Sequence, residues 1–237
     1  KLDKKTTRFN VMEINKLKNI LDEFGDNVRF EYDLKKKNWF NIGGKSKVFY
    51  KANNLKELIN FLKKVANKEK IFILGAGSNT LITDNLYDGI VIKLSKDFNN
   101  ISLLKDDIII AGSGVLDKTL SDFAMKNNLS GFEFLSCIPG TIGGGIRMNA
   151  GCFGNEFKDI LLSIQAIDKK GNVLTIPTKD INFEYRKNDI PEDLIFLSAS
   201  FKGIKSEYKK IENQTKKLKI EKEKSQPTQI KTSGSTF

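Results

Sequence analysis

The sequence contains no histidine, and that absence removes several chemistries at once. A Ser-His-Asp triad, an HExxH zinc site and an imidazole base all need that residue. Only 2 cysteines are present. Two isolated cysteines cannot build a four-thiolate zinc or iron–sulfur site, nor a disulfide framework. No apolar run approaches the roughly 18–20 residues that a bilayer span needs. The basic start, KLDKKTTRF, is not followed by an apolar segment of signal-peptide type. Few thiols and no export signal make a reducing cytoplasm the expected compartment. Chemistry must therefore come from carboxylates, hydroxyls, Tyr, Lys, Arg or a borrowed cofactor, with no metal site in prospect.

What is present suits a folded chain. The 237 residues fit one large domain, or one domain plus a piece of another. With 39% hydrophobic and 10% aromatic residues, a real core can form. Lys+Arg number 40 against 29 Asp+Glu, a net charge of +11. That balance fits Lys-rich solvated faces and, taken alone, also a nucleic-acid surface. The lysines are dispersed, however, and no aromatic–basic module of RRM type occurs.

Residues 11–24 carry Val11, Ile14, Leu17, Ile20, Leu21 and Phe24 at helical spacing, with Gly25 as the stop. A strand is expected at Val48–Lys51. A helix then follows on Leu55, Leu58, Ile59, Leu62 and Val65, capped by Asn53 or Asn54. The apolar run Ile71–Leu74 leads straight into Gly75-Ala76-Gly77-Ser78-Asn79, a βαβ-like opening. Short strands are expected at Ile90–Leu94 and Ile108–Ala111, and a helix on Leu116, Leu120, Phe123 and Ala124. Ile164 and Ala166 pair with Val173–Ile176 around Lys169–Asn172, and Leu194–Phe201 reads as another strand. From Lys205 to about Lys224 runs a charged helix with a thin apolar stripe of Tyr208, Ile211 and Leu218. The overall class is α+β.

Four segments could carry chemistry. In Gly75–Leu81, glycines allow amide groups to converge on an anion, and Ser78 and Asn79 add donors. The same loop also fits a plain turn, and it lacks the third glycine of a dinucleotide fingerprint. Six of the sixteen residues from Pro139 to Gly154 are glycine, yet the block is apolar. It is expected to be packed, with bare backbone against a planar ring or against protein. Tyr185-Arg186 offers a cationic fork for carboxylate or phosphate, or is a surface pair. Ser233-Gly234-Ser235 alone reads as a loop.

In this order and spacing the segments say more. The chain resembles the UDP-N-acetylenolpyruvoylglucosamine reductase (UDP-N-acetylmuramate dehydrogenase) family of peptidoglycan biosynthesis. The matching landmarks are Asn41-Ile42-Gly43-Gly44, Gly75 to Leu81, Gly131-Phe132-Glu133-Phe134, Pro139 to Gly144, Met148-Asn149-Ala150-Gly151, Tyr185-Arg186 and Gly234-Ser235-Thr236-Phe237. The resemblance implies a two-subdomain FAD-binding domain of the vanillyl-alcohol-oxidase type. It would span 30–203, as subdomains at about 30–95 and 96–203, after an N-terminal helical segment 1–29. Residues 204–237 would open an α+β substrate-binding domain.

The implied activity is reduction of the enolpyruvyl ether of UDP-N-acetylglucosamine, with NADPH as reductant and non-covalent FAD as carrier. Arg186 would face the substrate carboxylate and Ser235 would protonate C2, with Tyr185 and Lys222 also touching substrate. FAD would contact Ile42, Gly43, Gly44, Gly75, Ala76, Gly77, Ser78, Asn79, Thr80, Leu81, Gly112, Pro139, Gly140, Thr141, Gly143, Gly144, Asn149 and Gly151. Asn188 departs from the Ser that the family often places after Tyr-Arg-x. Relatives of this family continue past the GSTF loop to a catalytic Glu. The resemblance therefore implies that this chain stops short of that domain and turns over substrate poorly by itself. Partners are expected to be small molecules, without nucleic acid or membrane, and the chain a monomer. Another FAD oxidoreductase of the superfamily acting on a sugar or lactone, and a non-catalytic FAD-binding fragment, are the rival readings.

Overall fold

The computed structural model describes residues 14–65 and 68–226. Residues 14–21 form the first described helix, α1, followed over Asp22–Asn27 by 3-10 turns that break at Gly25, which takes φ +49. Leu17, Leu21 and Phe24 are buried as the helical spacing requires, and Val11 lies outside the described residues. The chain then runs through β1 (Val28–Asp33), β2 (Lys45–Ala52), α2 (Leu55–Val65), β3 (Ile71–Ile73) and β4 (Tyr87–Leu94). Asn54 is the cap of α2: its Oδ1 accepts from the Glu57 amide at 2.9 Å.

These strands make one sheet in the order β1-β2-β4-β3, with β4 parallel to both neighbours. The expected βαβ unit is therefore present, but β4 is inserted between its two strands. Local periodicity cannot reveal that, because strand order is decided by non-local pairing. α2 covers the sheet with Leu58, Phe61, Leu62 and Val65, all fully buried. Phe61 stacks on Tyr50 at 3.8 Å, and Phe24 meets both rings edge-on. Fully burying such side chains stabilises by about 1.5–3 kcal/mol each.

A second sheet follows. Its strands are β5 (Ile101–Lys105) and β6 (Ile108–Gly112), then, after α3 (Asp117–Lys126) and the short β7 (Leu129–Ser130), strands further along. Next come a 3-10 turn at Glu133–Cys137, α4 (Ile142–Arg147), β8 (Gly151–Cys152), β9 (Asn155–Glu156) and α5 (Phe157–Ile160). The sheet is completed by β10 (Leu161–Ile167) and β11 (Val173–Pro177), and, beyond the β12 (Phe183–Glu184) and β13 (Lys187–Asn188) hairpin, by β14 (Ile195–Lys202). Its order is β11-β10-β14-β6-β5, antiparallel throughout. The core below it gathers Leu120, Phe132, Phe134, Phe157, Ile164 and Phe201, among others. Ile167, Ile195 and Leu197 of this sheet reach into the core of the first, so the two layers share apolar contacts.

The charged helix begins later than its sequence pattern suggests. Lys205 pairs with Leu129 in β15 (Ile204–Lys205), so the helix α6 runs Tyr208–Ser225. Its stripe is Ile211, Thr215 and Leu218, whereas Tyr208 is 42% exposed. This stripe packs on the 133–137 turn, α3 and β7. Among the described residues, no helix is long and apolar enough to cross a membrane.

Candidate active site

Three loops meet where the glycines lie. Gly77 has φ +71, and a Cβ there would stand 2.2 Å from the Lys37 carbonyl oxygen. The Trp39 amide donates to the Gly77 carbonyl at 3.0 Å, tying the 37–44 loop to the 75–81 loop. Gly75 faces Thr141: its Cβ would lie 2.5 Å from Thr141 Oγ1, which brings the Pro139–Gly144 block against the same loop. That block is itself zipped to residues 113–117. The Asp117 amide donates to Gly140, Ile142 to Val115, and Gly143 to Ser113. Only residues without side chains fit at such approaches.

The amides of residues 75 to 81 donate to no acceptor among the described residues. The Ser78 and Asn79 side chains likewise form no hydrogen bond there. A run of free donors on a left-handed glycine loop is a nest for an anion. Below it, Lys93 donates to the Gly75 carbonyl at 2.8 Å. Burial pushes the Lys93 ammonium below its ordinary value, and the neighbouring charge of Lys37 pushes in the same direction. A diphosphate seated on the loop would oppose both effects. Ile42, Leu81 and Leu116, 45%, 69% and 52% exposed, are apolar surface on the participating loops. The free donors, bare backbone and apolar margin fit FAD.

Sequence reading did not single out Lys93 or Asn38. Asn38 is buried and donates to the carbonyls of Leu34 and Ile42 at 3.2 and 2.7 Å, which shapes the loop around Gly43 and Gly44. Gly44 itself donates to Thr83 at 2.7 Å. Gly112 is placed by packing: a Cβ there would lie 2.1 Å from the Phe98 carbonyl oxygen. Asn149 is fully buried at φ +39. Its side chain donates to Glu156 and Glu184 and accepts from the Lys158 amide.

Asp117 is a third residue the sequence did not flag. It is fully buried at the start of α3, and neither carboxyl oxygen has a partner among the described residues. A Cβ on Gly140 would lie 2.5 Å from its Oδ2. Desolvation raises its pKa well above the usual 3.8. The native state therefore keeps a proton that the unfolded chain releases above that value.

Tyr185 and Arg186 are the two turn residues of the β12–β13 hairpin, in which Glu184 pairs with Lys187. Arg186 takes φ +58, a left-handed conformation that favours Gly or Asn. Such strain costs about 1–3 kcal/mol and collects at functional sites. The Arg186 guanidinium donates to the Gly151 carbonyl at 3.0 Å and lies 5.3 Å from the Tyr185 ring. It lines an open cleft with Gly151, Cys152, Glu156 and Lys158. Glu156 is held below the usual carboxylate value, first by a hydrogen bond from Lys158 and then by Asn149, with the Arg186 charge adding to both.

Asn188 takes a structural role here: it donates to the Ile146 and Arg147 carbonyls at 2.9 Å and closes the end of α4. Lys222 reaches back from α6 and donates to the Cys137 carbonyl. Ser235 lies outside the described residues. Among the described residues no cluster of His, Cys, Asp or Glu is arranged for a metal ion.

Comparison with known proteins places the chain. Residues 46–177 match the FAD binding domain family. The UDP-N-acetylenolpyruvoylglucosamine reductase of Pelagibacter ubique (strain HTCC1062) is 62% identical over 226 residues, covering 95% of this chain and 75% of that protein. The protein of the same description from Rickettsia typhi (strain ATCC VR-144 / Wilmington) is 44% identical over 207 residues, covering 87% and 70%. The crystal structure of UDP-N-acetylenolpyruvylglucosamine reductase from Thermus caldophilus superposes with a TM-score of 0.78 at 27% identity, over 89% of this chain and 74% of that one. A berberine bridge enzyme variant, at 16% identity and TM-score 0.52, shares the fold.

Two outcomes are expected. Lys93→Met should weaken FAD binding about tenfold, equivalent to about 1.4 kcal/mol, read by titrating FAD into the apoprotein. Asp117→Asn should remove a pH-dependent cost. In the wild type, the contribution of Asp117 to stability is fully present below pH 3.8 and is lost as pH rises towards the raised native value, by up to about 1.4 kcal/mol per pH unit. Urea midpoints of the two apoproteins should coincide near pH 4, with the variant the more stable at pH 7.

Proposed function

The chain belongs to the UDP-N-acetylenolpyruvoylglucosamine reductase family, and from that premise we propose how its residues carry out the reaction. The enzyme is an FAD-dependent oxidoreductase that reduces UDP-N-acetylglucosamine enolpyruvate to UDP-N-acetylmuramate with NADPH. The observation that carries the assignment of residues is the junction of the free 75–81 amides, the glycine block and the Arg186 cleft on linked loops. The amides of 75–81, with Ser78 and Asn79, would hold the FAD diphosphate. Ile42, Gly43, Gly44, Pro139 to Gly144 and Gly151 would line the rest of the cofactor site. Bound there, FAD would supply the hydride chemistry that links NADPH to the vinyl C3 of the substrate.

The remaining chemistry belongs to the chain. Negative charge develops at C2 and spreads into the substrate carboxylate. Arg186 meets that carboxylate with a fixed cation, anchored through Gly151 and aimed by the hairpin turn. Its stabilisation grows as charge develops, which lowers the barrier. Ser235 gives C2 its proton. A hydroxyl suffices because the C2 centre is strongly basic, so no histidine is needed. Tyr185 and Lys222 serve the substrate, Lys222 from its position beside Cys137.

The division into 30–95, 96–203 and a segment opening at 204 accompanies this reading, as does a cytoplasmic monomer without nucleic acid. The net charge of +11 then matches cofactor and substrate diphosphates.

In a protein carrying this sequence, Arg186→Met should lower kcat for NADPH-dependent reduction of the enolpyruvyl sugar about 100-fold. Ser235→Ala should also lower kcat about 100-fold. FAD should stay bound in both, as read by its absorbance. Unchanged kcat in either variant would remove that residue from the mechanism.

A further inference from the structure

The 2 cysteines, 15 residues apart by number (152 − 137), come together in the fold. Cys137 ends the 133–137 turn, Cys152 sits in β8, and these two segments pack on one another. The Cys152 thiol donates to the Phe134 carbonyl of that turn at 3.3 Å, and Ser136 Oγ lies 3.7 Å from Cys137 Sγ, so the two sulfurs are close enough for each to shift the other's titration. Cys152 lines the Arg186 cleft, which admits solvent, while Cys137 lies just behind it at 6% exposed.

The surroundings are cationic. Lys222 donates to the Cys137 carbonyl, and the charges of Lys222 and Lys219 act on its sulfur. The neighbouring Cys152 thiol leads in pushing the Cys137 thiol down, with Ser136 and the lysines helping against desolvation. Cys152 moves the opposite way, through Cys137 first and burial second. Cys137 is thus the more readily ionised of the two, the division of labour of a nucleophile and a resolving partner.

We propose that Cys137 and Cys152 form an oxidation site for small hydroperoxides, which closes to an intramolecular disulfide beside Arg186. The Cys137 thiolate attacks a peroxide oxygen of hydrogen peroxide. The O–O bond breaks, Cys137 becomes a sulfenic acid, and the departing hydroxide takes up the proton that the Cys137 thiol released on ionising, giving water. Cys152 sulfur then attacks the Cys137 sulfur. The S–O bond breaks, and the leaving hydroxide carries off the Cys152 proton as water. In sum, two thiols and one hydrogen peroxide give one disulfide and two waters; the sulfurs are oxidised and the peroxide reduced. The 133–137 turn and β8 are already packed together and joined by the Cys152–Phe134 hydrogen bond, so a disulfide would cross-link segments that are neighbours in the fold. The disulfide would tie the 133–137 turn to β8, whose Gly151 carbonyl anchors Arg186. The thiol chemistry stands independently of the role given to Arg186.

The test is exposure of the folded protein to hydrogen peroxide, followed by denaturing alkylation and intact-mass counting of free thiols. The wild type should go from two alkylated thiols to none, as monomer on a non-reducing gel, and a dithiol reductant should restore both. Cys152→Ser should stop at a Cys137 sulfenic acid that a dimedone probe captures. Cys137→Ser should keep its Cys152 thiol under the same dose. Two thiols surviving in the wild type, or their loss only to intermolecular disulfides or sulfinic acid, would overturn the proposal. Capture of a sulfenic acid on Cys152 in place of Cys137 would overturn the assigned order. Far-UV circular dichroism of both variants checks that they are folded, and the wild-type thiol count decides the matter without them.

Discussion

Backbone meets backbone at Gly77, where a side chain would lie 2.2 Å from the Lys37 carbonyl oxygen. The same exclusion recurs at Gly75 against Thr141 and at Gly44, whose Cβ would lie 2.3 Å from the Asp84 carbonyl oxygen. These close approaches bring loops from different parts of the chain to one place. The first sheet supplies two of them, after β1 and after β3, and the segment leading into α4 supplies the third. With the approaches made by bare backbone, the 75–81 amides find no acceptor among the described residues. The architecture above the core is arranged around that run of donors.

Charge is placed to suit it. Lys93 supports the loop from beneath through the Gly75 carbonyl, in a position where burial and Lys37 both work against its charge. At Asp117, buried near Gly140, burial favours the neutral carboxyl over an added negative charge. At the other end of the glycine block, β8 presents the Gly151 carbonyl to Arg186 and the Cys152 sulfur to Cys137. The lack of histidine is no handicap in this arrangement. In the proposed mechanism a permanent guanidinium handles developing charge, and a hydroxyl suffices for a strongly basic carbon.

Much of this was legible in the sequence because the relevant signals are local. Glycine spacing marked both loops, the 3.6-residue period marked α2, and the Asn53-Asn54 pair marked its start, with Asn54 the one that caps it. The order of the motifs marked the family. Features set by distant contacts were not legible. The insertion of β4 between β2 and β3, and the pairing of Lys205 with Leu129 that delays α6, depend on residues far apart in the chain. The Tyr185-Arg186 turn was hidden because its left-handed position is filled by Arg in place of Gly or Asn. Lys93 looked like any strand lysine, and Asp117 like an ordinary acidic residue at a helix start. Only their burial gives them meaning. The cysteines, isolated in sequence, acquired each other in the fold.

The central claim is that the bare-backbone junction around Gly77 creates the FAD site. It is tested most directly by calorimetric titration of FAD into the apoprotein and its Gly77→Ala variant, with thermal melting to check that both are folded. The account predicts that the wild type binds FAD, and that one added methyl group weakens binding about 100-fold, equivalent to about 2.7 kcal/mol. A folded Gly77→Ala protein that binds FAD as tightly as the wild type would contradict it.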